Sequence, residues 1–113
     1  MGIQAFAQMG NTVKFTAATT APTPVQCVGN TLGGNQYRII NSGTAVAFLG
    51  YGSTAATATA NAVIPTGDGV NSTFCLVLLP GTDEILSFVP NAYFTAETSS
   101  GTTDIYICPG DGL

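Results

Sequence analysis

A chain of 113 residues and 11.4 kDa is one domain's worth of protein, long enough to bury roughly two-thirds of its unfolded surface without metals or covalent staples. Apolar residues make up 45%, which excludes a disordered composition, yet only 7% are charged, against about 25% in ordinary soluble domains. The net charge is −4 and Lys14 and Arg38 are the only cations, so there is no basic footprint for nucleic acid or anionic lipid, and no run approaches the ~18 apolar residues of a membrane helix.

Where most domains place ions, this chain places Thr, Ser, Asn and Gly. Such a surface desolvates cheaply because few ions must be stripped of water. It suits extensive contact with other protein, since interface cores are depleted in charge. The N-terminal MGIQAFAQMG has neither a basic n-region nor a sustained apolar h-region, so no signal peptide is expected. It opens Met-Gly, but Phe6 stands where a myristoylation signal needs Ser or Thr. Synthesis in a cytoplasm, with no further address, is the expectation.

Taken in order, residues 1–10 read as an arm or first strand whose larger apolar groups are Ile3, Phe6 and Met9. These three are the candidate contact residues for a partner or a second copy. Gly10-Asn11 is a turn signal. Residues 12–17 (TVKFTA) alternate, with Val13, Phe15 and Ala17 on one side, which predicts a half-buried strand. Residues 19–24 (TTAPTP) form an extended connector, because paired prolines argue against a central strand. A short strand is expected at 25–28 and a loop at 30–35. Residues 36–41 and 44–51 then read as two strands of a hairpin about Asn41-Ser42-Gly43, with Tyr37 and Ile39 on one face and Arg38 and Ile40 on the other.

Residues 53–63 (STAATATANAV) are weakly specified: an edge strand, a loop or a contact surface, with a short helix concealed in the Ala-rich part as the one helical option. A loop at 65–72 follows. The apolar run Phe74 to Leu79 predicts a strand buried on both faces. Asp83 and Glu84 are expected in a polar turn, with strands at 84–89, 91–98 and 103–108 around the turn 99–102. The closing PGDGL is expected to leave the sheet as a short tail. Eight or so short strands with frequent turn signals and no fixed-period repeat predict an all-β fold: a single small β-sandwich spanning 1–113, jelly-roll-like, with 1–10 as an N-terminal arm.

Catalytic chemistry has little to work with. There is no histidine, so neither a Ser-His-Asp nor a Cys-His arrangement is available. Of the six carboxylates, Asp83 and Glu84 are adjacent and point apart on a strand, and Asp68 and Asp111 each precede a glycine, as turn residues do. Cys27, Cys75 and Cys108 are widely spaced, odd in number and lack a CxxC pair. They read as free thiols filling core space, one disulfide being the alternative. Asn71-Ser72-Thr73 matches a glycosylation acceptor but reads as a loop in the absence of a secretory signal. Neither an enzyme, a metal site nor a cofactor is expected.

Three stretches, YRIINSGTAVAFLGYG (37–52), VLLPGTDEILSF (77–88) and YFTAETSSGTTDIYICPGDGL (93–113), resemble the capsid decoration or cement proteins encoded beside the major capsid protein of tailed bacteriophages. The resemblance covers about the last two-thirds of the chain. It implies a compact β-sandwich or jelly roll that attaches outside the expanded head as a dimer or trimer and bridges neighbouring capsomers. The implied partner is the major capsid protein and the implied location is the outer surface of the virion. That family supplies no catalytic residues. A second reading from the same fold class is a carbohydrate- or receptor-binding module of a fibre or adhesin, with Tyr37, Tyr51, Tyr93 and Tyr106 as stacking rings.

Overall fold

The computed structural model describes residues 6–28, 35–67 and 74–111. Its elements in chain order are β1 (Ala7–Gln8), β2 (Val13–Ala17), β3 (Val25–Gln26), β4 (Gln36–Asn41), β5 (Ala47–Gly52), α1 (Ala55–Asn61), β6 (Leu76–Leu78), β7 (Asp83–Ser87), β8 (Tyr93–Thr98) and β9 (Thr103–Asp111). The strands form two antiparallel sheets. The first runs β2-β9-β4-β7, with β1 pairing β9 beyond the end of β2; the second runs β3-β8-β5-β6. From β2 onward the chain changes sheet at every connection except β5 to β6, where α1 is inserted. Five strands and four, interleaved in this way with β1 as an addition to the first sheet, form a jelly roll.

Alternation along the strands builds the core. Phe15 and Ala17 of β2, Tyr37 and Ile39 of β4 and Ile105 and Ile107 of β9 face inward from the first sheet. Ala47 and Leu49 of β5, Leu78 of β6 and Phe94 and Ala96 of β8 meet them from the second. All eleven belong to one buried cluster. Each fully buried Leu, Ile or Phe contributes about 1.5–3 kcal/mol. At the centre the Tyr37 and Phe94 rings meet edge to face at 5.0 Å across the two sheets.

Two buried polar side chains fix corners where the chain passes between sheets. Asn41 is fully buried; its Nδ2 donates to the carbonyls of Ala45 (2.9 Å) and Leu78 (3.0 Å). Its Oδ1 accepts from Gly43 N–H and Thr103 Oγ1. One side chain therefore ties β4, the 42–46 corner, β6 and β9 together. Gly43 is required there because a Cβ would occupy the space of Thr103 Oγ1. Tyr37 does the same for the β7–β8 corner: its hydroxyl donates to Val89 O and accepts from Ala92 N–H at 3.2 Å. Asn91 between them takes φ 57°, a conformation asparagine tolerates better than most residues.

Residues 41–43 are thus a corner and not a hairpin. β4 lies between β9 and β7 in the first sheet, while β5 lies between β8 and β6 in the second. A turn signal says that the chain reverses, not which sheet it enters next. The run from Phe74 also differs from expectation. It is an edge strand of three residues, Leu76–Leu78, with Leu78 buried but Phe74, Val77 and Leu79 exposed. Asp83 and Glu84 begin β7, and the turn falls earlier at Pro80-Gly81, with Gly81 at φ 79°.

Residues 109–111 of the expected tail stay in the sheet, while 112–113 lie outside the described residues. β9 continues through Pro109 and Gly110 to Asp111, pairing with β4 on one side and β1 on the other. Proline lacks an N–H, and Pro109 sits at the break between β1 and β2. Its carbonyl accepts from Met9 N–H at 2.9 Å, so its nitrogen faces that same gap, where the flanking ladder is interrupted. The ladder with β4 loses nothing.

The Ala-rich stretch resolves as the short-helix option. Thr54 caps α1, its hydroxyl accepting from Thr57 N–H at 3.2 Å, and Asn61 Nδ2 donates to Tyr51 O. The helix lies on the outer face of the second sheet. Gly50 and Gly52 of β5 face it, and a Cβ at Gly50 would collide with the backbone of Ala58 and Ala62. Small residues on both sides allow that close approach.

Candidate interaction surface

The two margins of the sandwich are built differently. At the β2–β3 margin, Ala18 bridges to Glu97 and its carbonyl accepts from Thr98 N–H at 2.9 Å. Thr95 Oγ1 donates to Pro22 O at 2.7 Å, fastening the 19–24 connector over β8. At the opposite margin, β6 and β7 are both terminal strands of their sheets. Large exposed apolar side chains concentrate there: Phe74 (66% exposed), Val77, Leu79 (59%), Ile85 (54%) and Val89. Elsewhere among the described residues only Val28 and Val63 are comparable.

This margin is continuous with the core. Tyr51 sits between the rings of Phe94 (6.3 Å), Phe88 (4.9 Å) and Phe74 (5.6 Å). An aromatic ladder therefore runs from the buried Tyr37–Phe94 pair out to Phe74. Leu76, Leu86 and Phe88 are half-buried against the same core. Contact made on Phe74 rests on a backed, rigid base, the arrangement in which apolar contacts bind best.

Both cations are paired with carboxylates. Lys14 Nζ lies 3.7 Å from Asp104, which also accepts from Thr16 Oγ1 at 2.7 Å. Arg38 makes a forked pair with Asp83: Nε to Oδ1 at 3.0 Å, and a terminal nitrogen to Oδ2. The hydrogen bond from Arg38 holds the Asp83 carboxyl below its ordinary pKa, and Asp83 raises that of Arg38. Both cations of the chain stand on the outer face of the first sheet and are engaged there. Glu97, on the outer face of the second, accepts from Ile64 N–H at 3.3 Å.

Of the three contact residues expected from sequence, Ile3 lies outside the described residues. Phe6 is half-buried with its ring over Gly110, and Met9 is half-buried, its amide bonded to Pro109. Both lie beside β1 at the far edge of the first sheet, away from the β6–β7 margin. The exposed side chains of that margin are missed from sequence because six consecutive apolar residues read as doubly buried. The available signal was Pro80 directly after the run, which favours an edge.

The four tyrosines do not form a platform. Tyr37 is buried, Tyr51 belongs to the aromatic ladder, Tyr93 points outward from the second sheet and Tyr106 outward from the first. All three cysteines are free thiols. Cys27 is buried, and burial, with a smaller contribution from Cys108, pushes its pKa up to about 12. Among the described residues no three of His, Cys, Asp and Glu come together as metal ligands, and no helix is long and apolar enough to cross a membrane. Asp68 and residues 71–73 lie outside the described residues. A shallow polar groove of about 450 Å³ lies between residues 44–46 and 99–102; it has no aromatic or charged lining.

Comparison with protein-family models, with curated proteins and with solved structures finds no match to this chain.

Proposed function

We propose that this protein is a structural decoration protein of a tailed-bacteriophage head, which binds the outer surface of the capsid, contacts the major capsid protein and bridges capsomers. The observation that carries the reading is the exposed apolar strip along β6 and its flanks, Phe74, Val77 and Leu79, on a chain whose two cations are already paired internally. Exposed apolar side chains gathered at one margin mark a protein contact, and a surface with few ions adds little desolvation cost around it. The sequence resemblance at 37–52, 77–88 and 93–113 supplies the kind of partner. The jelly roll agrees with it without deciding it, since the same fold serves capsid and lectin domains. Individual contacts need not be strong, because a symmetric lattice engages many copies at once.

The sugar-binding reading gains no support from the structure, because its four tyrosines share no surface. The test is to mix purified protein with undecorated expanded heads. Stoichiometric binding and a raised temperature of head disruption are expected, and both should be lost in Phe74→Asp. Failure of the wild-type protein to bind heads, or absence of the protein from purified virions, overturns the proposal.

A further inference from the structure

Apart from the two-residue β1, the terminal strands of the sandwich are unequally protected against pairing with another chain. β3 is two residues long and follows Pro22 and Pro24. β6 is three residues long with Pro80 close behind. β2 carries Lys14 and is bridged just beyond its end to β8 at Ala18. Short edges, prolines, lysines and covering contacts are the usual means by which edges are blunted. β7 is longer, at five residues, DEILS, with Ile85 exposed at its centre; its guards are the carboxylates of Asp83 and Glu84, the first of them engaged by Arg38 of its own chain.

The direction of its backbone groups follows from its bonds to β4. Thr82 O accepts from Asn41 N–H at 3.0 Å, and Phe88 N–H donates to Asn35 O at 2.8 Å. Residues 82 and 88 face β4, and by alternation so do 84 and 86. The N–H and C=O groups of Asp83, Ile85 and Ser87 therefore face away from the sheet, and among the described residues no strand pairs with them.

We propose that this edge pairs antiparallel with β7 of a second copy, joining the two first sheets across a twofold axis at Ile85. The sequence is self-complementary in that register. Ile85 lies opposite the partner's Ile85, Asp83 opposite the partner's Ser87, and Glu84 opposite the partner's Leu86. All three outward-facing residues of each copy then exchange backbone hydrogen bonds. A register centred on Glu84 would set two carboxylates opposite each other in the narrow, non-hydrogen-bonded pair, and opposed like charges there destabilise a ladder. One centred on Leu86 would use fewer of the outward groups. Asp83 brings no bare charge to the seam, because Arg38 already engages it from within each copy. The partner that fits this edge is thus a second copy of the chain. The proposal does not depend on the capsid reading, although a twofold pair would present two β6 strips and so supply the two contacts that bridging requires.

The test is the mass of the free protein by sedimentation velocity across a concentration series. A species of twice the chain mass is expected, with Ile85→Lys weakening dimerisation at least about a hundredfold, since each copy loses an apolar contact and gains an opposed charge. Circular dichroism checks that the variant folds. Because an edge lysine also alters the monomer surface, a second measurement fixes the register. Ile85→Cys should oxidise to a covalent dimer, its Cα atoms lying about 5.5 Å apart as in a hydrogen-bonded pair. Ser87→Cys alone should not, whereas the double variant Asp83→Cys/Ser87→Cys should. A protein that stays monomeric to millimolar concentration, or a dimer indifferent to Ile85→Lys and not cross-linked through Ile85→Cys, overturns the proposal. Both outcomes are read without capsids and so are separate from the fate of the head-binding reading.

Discussion

The two margins of this sandwich are both made of short strands, put to opposite ends. At the β2–β3 margin every large apolar group on the strands turns inward, and bonds from Ala18 and Thr95 close the side. At the β6–β7 margin the core continues outward through Tyr51 and Phe88 to Phe74, and both terminal strands are left with exposed apolar side chains. The difference teaches that the open side is not a defect of packing. Its corners are tied by the buried side chains of Asn41 and Tyr37. That margin is held firmly while remaining apolar, and the proposed contact rests on this feature.

The comparison breaks most sharply at Asn41. Asn41→Ala should cost about 4 kcal/mol in urea denaturation, because it strands buried carbonyls at Ala45 and Leu78 and the Thr103 hydroxyl together. A loss near zero would show that the corner does not hold the open margin. Next come neighbouring residues of one strand. Leu78→Ala should cost about 3 kcal/mol, while Leu79→Ser and Val77→Ser should stay within about 0.5 kcal/mol yet weaken head binding. Equal destabilisation of Leu78 and Leu79 variants would make the margin core instead of contact surface. Tyr37→Phe keeps the ring and removes the clamp on Val89 and Ala92, and should lower stability by about 1.5 kcal/mol.

Alkali probes the interior that the margins enclose. The Cys27 pKa is raised from 9.0 to about 12 by burial, so the folded chain holds its proton where the unfolded chain releases it. That contribution is complete below pH 9.0 and is lost as pH climbs toward 12. About 1.4 kcal/mol should be gone by pH 10 relative to Cys27→Ala. The thiol of Cys27 should also resist alkylation until the chain unfolds. The smallest effect is expected at Asp83, whose lowered pKa contributes stability above the unfolded value that disappears as pH falls through the folded one. The pair with Arg38 is exposed and screened, so Asp83→Asn should flatten the acid limb only slightly. A large change there would assign the margin's rigidity to charge instead of to Asn41 and Tyr37.

Much of this architecture was legible in the chain. The alternation in β2 and β4 set Phe15 with Ala17 on one side and Tyr37 with Ile39 on one face, and those are the sides that turn inward, because a period of two is a local property. What was not local was lost. Asn41-Ser42-Gly43 has the chemistry of a hairpin turn, but the partners of its Asn side chain come from β6 and β9, far along the chain. Pro109-Gly110 looks like the end of a strand, and is tolerated only because β1 and β2 part opposite it. The helix was concealed because AATATAN has no apolar stripe. Its place is set by Gly50 and Gly52 on another element. The contact margin was concealed for the reverse reason: an apolar run does not say whether its strand is central or terminal.

The position of β9 has a consequence for how the molecule comes into being. This strand lies between β2 and β4 and supplies ladder partners to β1, β2 and β4 alike. During synthesis those three strands emerge long before it and have no central partner until it arrives. The nascent chain must therefore wait with its inward-facing residues uncovered, and the high sequence separation of these pairings makes the final step slow. Deleting the segment from Thr103 would not trim the domain; it would remove the member about which the first sheet assembles.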